Sequence, residues 1–433
     1  MLVCAYMQGK VTVTIEKFVF GGQGLARIEN GPVLFVWNAL PGERVEVEIL
    51  KKKKDYWEGV AIHILEASPD RIKEKESVFL STSPWQICTF ESENAYKQQL
   101  AQEIYERTGG LHFESPLPII YNEEEFGYRN KMEFSFVEDE EGKIQLAFFE
   151  RGRNKKIAVE GSLLAEPIIN TIAQNILQWV HTTGMTTYNL KSLIIRSDGE
   201  GHAIAALFIK DILSFEDYPE LDKNFLGFQL YYSTHKSPAS VPTKLLYTSG
   251  QDYLVTTLNG VGLKFGLLSF FQVNIPIFSL ALSEMETYLD ETKPLIDFYS
   301  GVGAIGLALS GHYTSAYLVD NNTEAIEYAQ ENILSNKLQN IEAECIPAEK
   351  ITELIEKRKQ IIFDPPRAGL HVDVIAKLLE EQPETIIYMS CNLSTHARDI
   401  ALLQSIYSVT SLKLYNFFPR TPHVEAIAIL QKK

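Results

Sequence analysis

A cysteine stands where a strongly apolar stretch of this chain ends. Residues 386–389 are apolar and β-prone, and a polar Ser-Cys-Asn follows them at once. This pattern predicts a buried parallel strand with Cys391 at its carboxyl tip, the edge where open α/β sheets bind ligands. An ionised thiol is a nucleophile, and a helix N-terminus or a nearby positive group favours its ionisation. The helix expected from about residue 395 offers the first, and Arg398 is a candidate for the second. A small packing residue is the alternative interpretation of a lone cysteine.

A glycine-rich stretch, residues 297–306, is typical of a turn from a strand into a helix where the backbone approaches a bound ligand closely. Its three glycines also fit the dinucleotide fingerprint, and Asp320 would serve a ribose hydroxyl in an NAD site or an S-adenosylmethionine site. Asp297 favours the second cofactor, because a carboxylate suits its cationic methionine end and would repel a pyrophosphate. NAD and a purely structural turn remain alternatives.

Asp364, two prolines and Arg367 end another expected strand. The prolines force a rigid, non-helical exit that can hold Asp364 against a flat ring. N6-adenine methyltransferases carry an aromatic residue after these prolines, so the arginine makes amino methylation the weaker interpretation. Cys391 favours methylation at carbon. C5 of uracil is a poor nucleophile, and a thiolate added to C6 makes it enolate-like and able to attack a sulfonium methyl.

The rest of the chain must position these residues. Residues 11–66 alternate short β-rich runs with turn signals, which predicts a small barrel. Residues 95–107 have helical periodicity, and an α+β region follows them. From about residue 265 strands and helices alternate, as in a doubly wound sheet. The last two strands are joined too closely for a crossover helix, so we expect an antiparallel hairpin.

Charge and composition limit the class of protein. A chain of 433 residues predicts two or three domains. The net charge of −16 counts against a nucleic-acid partner, but residues 51–54 and 151–156 are locally basic. A solvated surface is the alternative for both runs. No run of about 18 apolar residues occurs, so a soluble protein that is neither secreted nor membrane-spanning is expected.

The four cysteines form no paired framework and no C-x-x-C pattern, which favours a reducing cytoplasm. They are Cys4, Cys88, Cys345 and Cys391.

In this order the motifs resemble the RNA uracil-5-methyltransferase family, whose members use S-adenosylmethionine in a class I catalytic domain. The resemblance also rests on three further motifs: Tyr-Arg-Asn-Lys at residues 128–131, Phe-Phe-Gln-Val-Asn at 270–274 and His-Val-Glu at 423–425. The start of the chain resembles a TRAM domain, an OB-like RNA-binding module.

The resemblance implies an α/β fold with three parts. They are an OB-like TRAM barrel in residues 1–67, a central α+β RNA-binding domain in 113–265, and a Rossmann-like class I methyltransferase domain with an antiparallel last strand. The catalytic domain combines residues 93–112 with 266–433, and residues 68–92 form a connector.

By this resemblance Cys391 is the nucleophile and Glu425 the general base. The cofactor pocket would be lined by Gln272, Tyr299, Asp320 and Asp364. His423 is the alternative base, because strand alternation would place it on the same side as Glu425. Arg129 and Lys131 resemble RNA contacts, with a surface strand pair as the alternative.

Many members of the family bind an iron–sulfur cluster, and this chain departs from that pattern. Only Cys88 remains of three closely spaced cysteines, Ser162 stands where the fourth is expected, and Ser300 replaces a frequent cysteine in the glycine turn. We therefore predict no metal cluster and no metal site. We also expect a monomer.

The expected reaction is 5-methyluridine formation, with 23S ribosomal RNA favoured over transfer RNA. A non-catalytic RNA-binding assembly factor and an NAD-dependent oxidoreductase are the alternatives from other classes. The oxidoreductase would leave Cys391 and Glu425 without a role.

Overall fold

The computed structural model describes residues 9–433 apart from residue 30, residue 154 and residues 237–239. Cys4 and the first eight residues of the predicted TRAM domain lie outside the described part of the chain.

Six strands form the N-terminal sheet. They are β1 (Lys10–Thr14), β2 (Lys17–Phe18), β3 (Gly24–Arg27), β4 (Val33–Trp37), β5 (Arg44–Lys52) and β6 (Tyr56–Glu66). Their order is β1-β5-β6-β4-β3-β2, and the pair β4–β6 is parallel. Buried residues alternate with exposed ones along β1 and with half-buried ones along β4, so one face of each strand packs into a core that contains Val13, Leu34 and Val47.

Two helices and a short strand follow. They are α1 (Phe79–Thr82), α2 (Phe90–Gly109) and β7 (Ile119–Ile120). Thr89 caps α2, since its side chain accepts a hydrogen bond from the N–H of Ser92, and Gly110 ends the helix in the left-handed conformation. The helix is longer than predicted at both ends.

The central region is a seven-stranded sheet with one long helix. Its elements are β8 (Lys131–Glu138), β9 (Ile144–Phe149), β10 (Lys156–Ala158), α3 (Pro167–Thr182), β11 (Leu190–Ser197), β12 (Ala203–Ile209), β13 (Phe225–Tyr232) and β14 (Lys244–Gly250). The order is β10-β9-β8-β11-β12-β13-β14. One face of the sheet packs on α3, and Ile194, Ile204 and Phe208 on the other face pack towards the C-terminal region.

A hairpin connects the central sheet to the C-terminal region. Its strands are β15 (Tyr253–Leu258) and β16 (Val261–Gly266). Asn259 and Gly260 have positive φ angles of 47° and 80°, as a tight two-residue hairpin turn requires.

The C-terminal region contains four α-helices, a 3-10 helix (Ala348–Leu354) and seven strands. They are α4 (Ile275–Glu286), β17 (Leu295–Phe298), β18 (Ala316–Asp320), α5 (Thr323–Ser335), β19 (Ile341–Cys345), β20 (Gln360–Phe363), α6 (Val372–Glu381), β21 (Thr385–Ser390), α7 (Leu393–Leu403), β22 (Tyr407–Tyr415) and β23 (Glu425–Lys432). The sheet order is β19-β18-β17-β20-β21-β23-β22-β7, with β17 to β21 parallel and β23 antiparallel to both neighbours. The predicted fold class, including the antiparallel last strand, is confirmed.

Helices cover both faces of this sheet because its central strands are apolar throughout. Ile387 and Met389 of β21 pack into a core shared with α4 and α5. Ile386 and Tyr388 of the same strand pack into a second core with α2, α6 and α7. Among the described residues, no helix is both long and apolar enough to cross a membrane.

Candidate active site

Cys391 lies directly between β21 and α7. Asn392 is the N-cap residue, and its Oδ1 accepts a hydrogen bond of 3.1 Å from the N–H of Ser394. The helix therefore begins at Leu393, slightly earlier than predicted. The half-buried thiol of Cys391 is next to the positive end of a helix, where negative charge is favoured.

Glu425 comes to the same place from the neighbouring antiparallel strand. Ser390 pairs with Ala426 between β21 and β23, so Cys391 and Glu425 are the next positions in register. Glu425 is only 5% exposed. The structure thus brings together two residues that are far apart in sequence, and it does so through sheet register.

The loop after β20 completes this side of the site. The carbonyl of Arg367 accepts hydrogen bonds from Nδ2 of Asn392 at 2.8 Å and from Oγ1 of Thr395 at 3.2 Å. These bonds fix the loop on the first turn of α7. They place the exposed side chain of Arg367 near the Cys391 thiol, where its positive charge lowers the pKa of the thiol.

Arg398 does not serve the thiol, and that prediction was wrong. Its guanidinium is 2.7 Å from Oδ1 of buried Asp399 and donates to the carbonyls of Ala368 and Leu370. Arg398 therefore stabilises the loop after β20 through hydrogen bonds to its backbone. Arg367, which the sequence interpretation left without a role at the thiol, is the nearby cation.

The electrostatics of the site favour the neutral thiol. Burial raises the pKa of Cys391 to about 11; Glu425 and Asp364 add to the increase, and Arg367 opposes it. Burial also raises the pKa of Glu425 well above its usual value, with a further contribution from Asp364. The pKa of Asp364 is raised to about 7 by burial, against a hydrogen bond of 3.4 Å from Gln272.

His423 precedes β23, which starts only at Glu425, so strand alternation does not relate the two side chains as predicted. The His423 side chain is exposed at the surface of the protein. Partial burial, followed by the positive charges of Arg367 and Lys97, lowers its pKa to about 4. The ring is therefore neutral near pH 7.

The glycine-rich stretch folds differently from the prediction. Residues 301–310 form successive turns and not a helix. Tyr299, Gly301 and Gly303 have positive φ angles of 62°, 55° and 85°, and a Cβ at Gly303 would lie 2.7 Å from Cδ1 of Leu307. Asp320 stabilises this turn, because its Oδ2 accepts a hydrogen bond of 3.0 Å from the N–H of Gly301.

Two buried polar atoms at the turn have no hydrogen-bond partner among the described residues. They are Oδ1 of Asp297 and Oγ of Ser300. The other Asp297 oxygen accepts a hydrogen bond of 2.9 Å from the N–H of Gly306. Burial raises the pKa of Asp297 to about 8, and Asp364 and Asp320 add to this. Such groups are suited to a polar ligand that lies against the turn.

Gln272 is held in place by the central region. Nδ2 of Asn130 donates to the Gln272 carbonyl at 3.1 Å, and the N–H of Asn130 donates to the Val273 carbonyl at 3.2 Å. Nearby, Arg129 donates to the backbone carbonyl of Lys131. Asn130 thus links the Tyr-Arg-Asn-Lys motif to the Phe-Phe-Gln-Val-Asn motif.

A buried polar network lies behind the loop that carries His423, and sequence reasoning missed it. Nζ of Lys97 donates to Glu93 and Asn416, both at 2.7 Å. Glu93 also accepts from the N–H of Arg420 at 3.0 Å, and the Arg420 guanidinium donates to the carbonyl of Cys88 at 2.7 Å. Lys97 and Glu93 stand four residues apart on one helix and are fully buried. The spacing was visible in the sequence, but the burial was not.

No group of three or more His, Cys, Asp or Glu side chains in the described ranges is arranged to hold a metal ion. Cys88 is buried, and its Sγ donates to the Trp85 carbonyl at 3.2 Å. Ser162 is also buried, and its N–H donates to Asn170. Since Cys4 lies outside the described residues, the absence of a cluster stays a prediction.

The two basic runs differ. The Arg151 guanidinium lies 4.6 Å from the Trp37 ring centroid and donates to the Leu80 carbonyl, while Arg153 pairs with Glu48 of the barrel. These two arginines join the barrel to the central region. Lysines 51–54 are exposed. One of them, Lys52, makes a cation–π contact, with its Nζ 4.4 Å from the Trp57 ring centroid.

Comparison with known proteins agrees with these motifs. Residues 250–433 match the tRNA (uracil-5-)-methyltransferase family, and residues 7–62 match the TRAM domain. An uncharacterized RNA methyltransferase of Clostridium tetani is 30% identical over 451 residues, which cover 97% of each chain. One from Fusobacterium nucleatum is 27% identical over 450 residues, covering 98% of this chain and 96% of its own.

One solved structure resembles the chain over nearly its whole length. It is the Pyrococcus abyssi tRNA (uracil-54, C5)-methyltransferase in complex with S-adenosyl-L-homocysteine. The TM-score is 0.78 at 22% identity, and the match covers 97% of this chain and 100% of that one. This likeness supports the fold described above.

Proposed function

Because the chain belongs to the RNA uracil-5-methyltransferase family, we propose that it methylates C5 of one specific uridine in RNA through a covalent bond between Cys391 and C6 of the base. The observation that carries this proposal is the register of β21 and β23, which places a thiol and a buried carboxyl side by side at the carboxyl edge of the sheet.

The cofactor is S-adenosylmethionine, and the residues present suit it. Asp320 and Gln272 would hold its polar groups with Tyr299, and the turn at Gly301, where an added Cβ would meet only the Phe270 carbonyl at 3.9 Å, leaves room for its close approach. The unpartnered Asp297 and Ser300 atoms supply further hydrogen-bonding capacity. When bound, the cofactor supplies an electrophilic methyl group.

The first chemical task of the protein is to make C5 nucleophilic. The Cys391 thiol gives its proton to solvent, and the thiolate adds to C6 of an extruded uracil, so electron density moves to C5 and O4. Arg367 and the N-terminus of α7 stabilise the thiolate. The C5 atom then accepts the methyl group.

The second task is to release the product. After methylation C5 carries both a methyl group and a proton, and the Cys391 sulfur remains on C6. Glu425 removes the C5 proton; the electron pair reforms the C5–C6 double bond and expels the thiolate. The raised pKa of Glu425 makes its carboxylate a stronger base than an exposed glutamate.

The substrate we favour is 23S ribosomal RNA, because the chain begins with a TRAM domain. Transfer RNA is the second candidate, favoured by the description of the family that residues 250–433 match. We also propose the division into a TRAM domain, a central RNA-binding domain and a catalytic domain that includes α2.

Mapping 5-methyluridine in ribosomal and transfer RNA, with and without this gene, tests the function. We expect one site to lose its methyl group and to regain it with the wild-type gene but not with Cys391→Ala. An unchanged methylation map, or full rescue by Cys391→Ala, would contradict the proposal.

A further inference from the structure

A second recess lies beside Cys391. It is a cavity of about 240 Å³, below the roughly 300–1,000 Å³ of sites for drug-sized ligands. Its wall includes Phe20, Lys97, Arg367, Cys391 and His423. Of the described residues, those proposed for the cofactor do not line it. The cavity therefore extends from the nucleophile away from the side where methyl transfer takes place.

Phe20 comes from the barrel, at the tip of the turn between β2 and β3. Two hydrogen bonds of 2.9 Å close this turn, from the N–H of Val19 to the Gln23 carbonyl and from the N–H of Gly22 to the Val19 carbonyl. Phe20 is 55% exposed, whereas its neighbour Phe18 is buried. The barrel does not need the Phe20 ring for its own core.

The turn packs against the loop that carries His423. Nε1 of Trp85 donates to the Gly22 carbonyl at 3.0 Å, and the Trp85 ring stacks on Phe18 with centroids 4.5 Å apart. A Cβ on Gly22 would lie 2.3 Å from Cβ of Pro422, the residue before His423. Only glycine fits there, also because its φ is +92°. The position of Phe20 relative to Cys391 is thus set by direct packing.

We propose that Phe20 is a stacking platform for the nucleobase next to the target uridine. A uridine that reaches Cys391 must leave its stack, so its neighbour loses a stacking partner on one face. An exposed aromatic ring at the nucleophile replaces that partner, and the exposed Arg367 supplies positive charge for the connecting phosphate. This inference rests on the proposed function and names a residue that positions its substrate.

The test uses an oligoribonucleotide that spans the mapped target uridine, with 2-aminopurine either before or after it. Binding is followed with the full-length protein and S-adenosylhomocysteine, so that no turnover occurs. At one of the two positions we expect wild-type protein and Phe20→Tyr to quench the 2-aminopurine fluorescence. Phe20→Leu keeps an apolar side chain without a ring, and it should lose the quenching.

Phe20→Leu should also weaken RNA binding by about 5- to 150-fold, the range for loss of one stacked base. We expect KM for RNA to rise by a similar factor, with little change in kcat and in cofactor affinity. Tyr188→Ala is the matched control, because Tyr188 is 82% exposed and lies in the turn before β11. It should behave like wild type.

Two outcomes would overturn the inference. One is that quenching and RNA affinity persist in Phe20→Leu although wild-type protein methylates the oligoribonucleotide; the proposed function then stands without this platform. The other is that wild-type protein methylates no uridine in the RNA at all, which would overturn the proposed function as well.

Discussion

Burial, together with two nearby carboxyl groups, raises the pKa of the Cys391 thiol, although its proposed role requires ionisation. The conflict is reduced when Glu425 holds a proton, as its own raised pKa favours. Charge on the two residues is therefore coupled: one negative charge in the site makes the other harder to form. A single negative charge suits both half-reactions: the charge is first on sulfur, and once the bond to C6 has removed it, Glu425 releases its own proton to solvent and carries the charge as the carboxylate that accepts the C5 proton.

This coupling predicts how fast the thiol reacts. Glu425→Gln should lower the pKa of Cys391 and speed its alkylation by iodoacetamide at pH 8, whereas Arg367→Gln should slow it. In wild-type protein the rate should increase about tenfold per pH unit from pH 7 to 10, because the thiol remains mostly protonated. Peptide mass spectrometry measures the rates, with the exposed Cys345 as internal reference. Equal rates in all three proteins would show that the charges of Glu425 and Arg367 do not affect the pKa of the Cys391 thiol.

The same substitution should separate the two chemical steps. Glu425→Gln keeps the shape of the site but cannot accept the C5 proton, so methyl transfer should occur once and leave RNA attached through Cys391. A protein–RNA band that survives denaturing electrophoresis, with about one radioactive methyl group per protein, is the expected result. His423→Ala should form no such band. Normal turnover in Glu425→Gln with adduct in His423→Ala would make His423 the base.

Sequence alone placed Cys391 and Asp364 at strand tips, because an apolar run that ends in polar residues is a local signal. The role of Arg367 was not predictable in this way. It depends on the bond from Asn392 to the Arg367 carbonyl, which joins two loops that are distant in sequence. Arg398 lies on the helix that follows Cys391 and was the candidate cation, but it forms an ion pair with the neighbouring Asp399 instead.

At the scale of elements, the position of α2 decides the shape of the site. The helix packs on α7, where the Tyr105 hydroxyl is 2.7 Å from Nδ1 of His396. Its buried Lys97 and Glu93 bind the loop that runs from β22 to His423. Local patterns predicted most of the strands and helices, but only the family resemblance placed α2 with the catalytic domain, because this docking requires contacts between residues more than 300 positions apart.

Removing one member of this network should cost much more than removing a surface charge. Lys97→Met leaves Glu93 buried without its main cation, and we expect a loss of about 3–5 kcal/mol in the free energy of unfolding. Lys377→Met, which removes a surface pair with Glu381, should lower the free energy of unfolding far less, because solvent screens exposed ion pairs. Urea denaturation measures both.

The double variant Glu93→Gln with Lys97→Met should recover part of that loss, because no buried carboxylate then lacks its partner. A double variant that is as unstable as the sum of the two single changes would show that the two side chains do not act as a pair.

At the scale of the whole molecule, an acidic protein must bind RNA through local positive surfaces. The net charge is −16, yet counterion release depends on the contact surface. Of the two basic runs, the one with Arg151 and Arg153 holds the barrel to the central region. Reversing the charges of that run would disturb the contact between the barrel and the central region more than RNA binding. Lysines 51–54 are therefore the better probe of RNA binding.

Changing lysines 51–54 to glutamate should weaken RNA binding and flatten its salt dependence. For each RNA phosphate that the variant no longer neutralises, the slope of log affinity against log salt should fall by about 0.7–0.9. Lys357→Glu, at an exposed lysine before β20, is the control and should leave the slope unchanged. If the lysine variant keeps the wild-type slope, the run is solvated surface only.

The strand β23 has a consequence for how the enzyme is made. It enters the sheet between β21 and β22, both of which leave the ribosome before it. Until residues 425–432 are synthesised the sheet has a gap beside Cys391, and the proposed nucleophile has no finished site. In the proposed mechanism, an enzyme with the thiol but without the base would remain bonded to the first RNA that it attacked. Since Glu425 lies on the strand that fills the gap, a chain folded well enough to capture RNA already carries the group that lets it go.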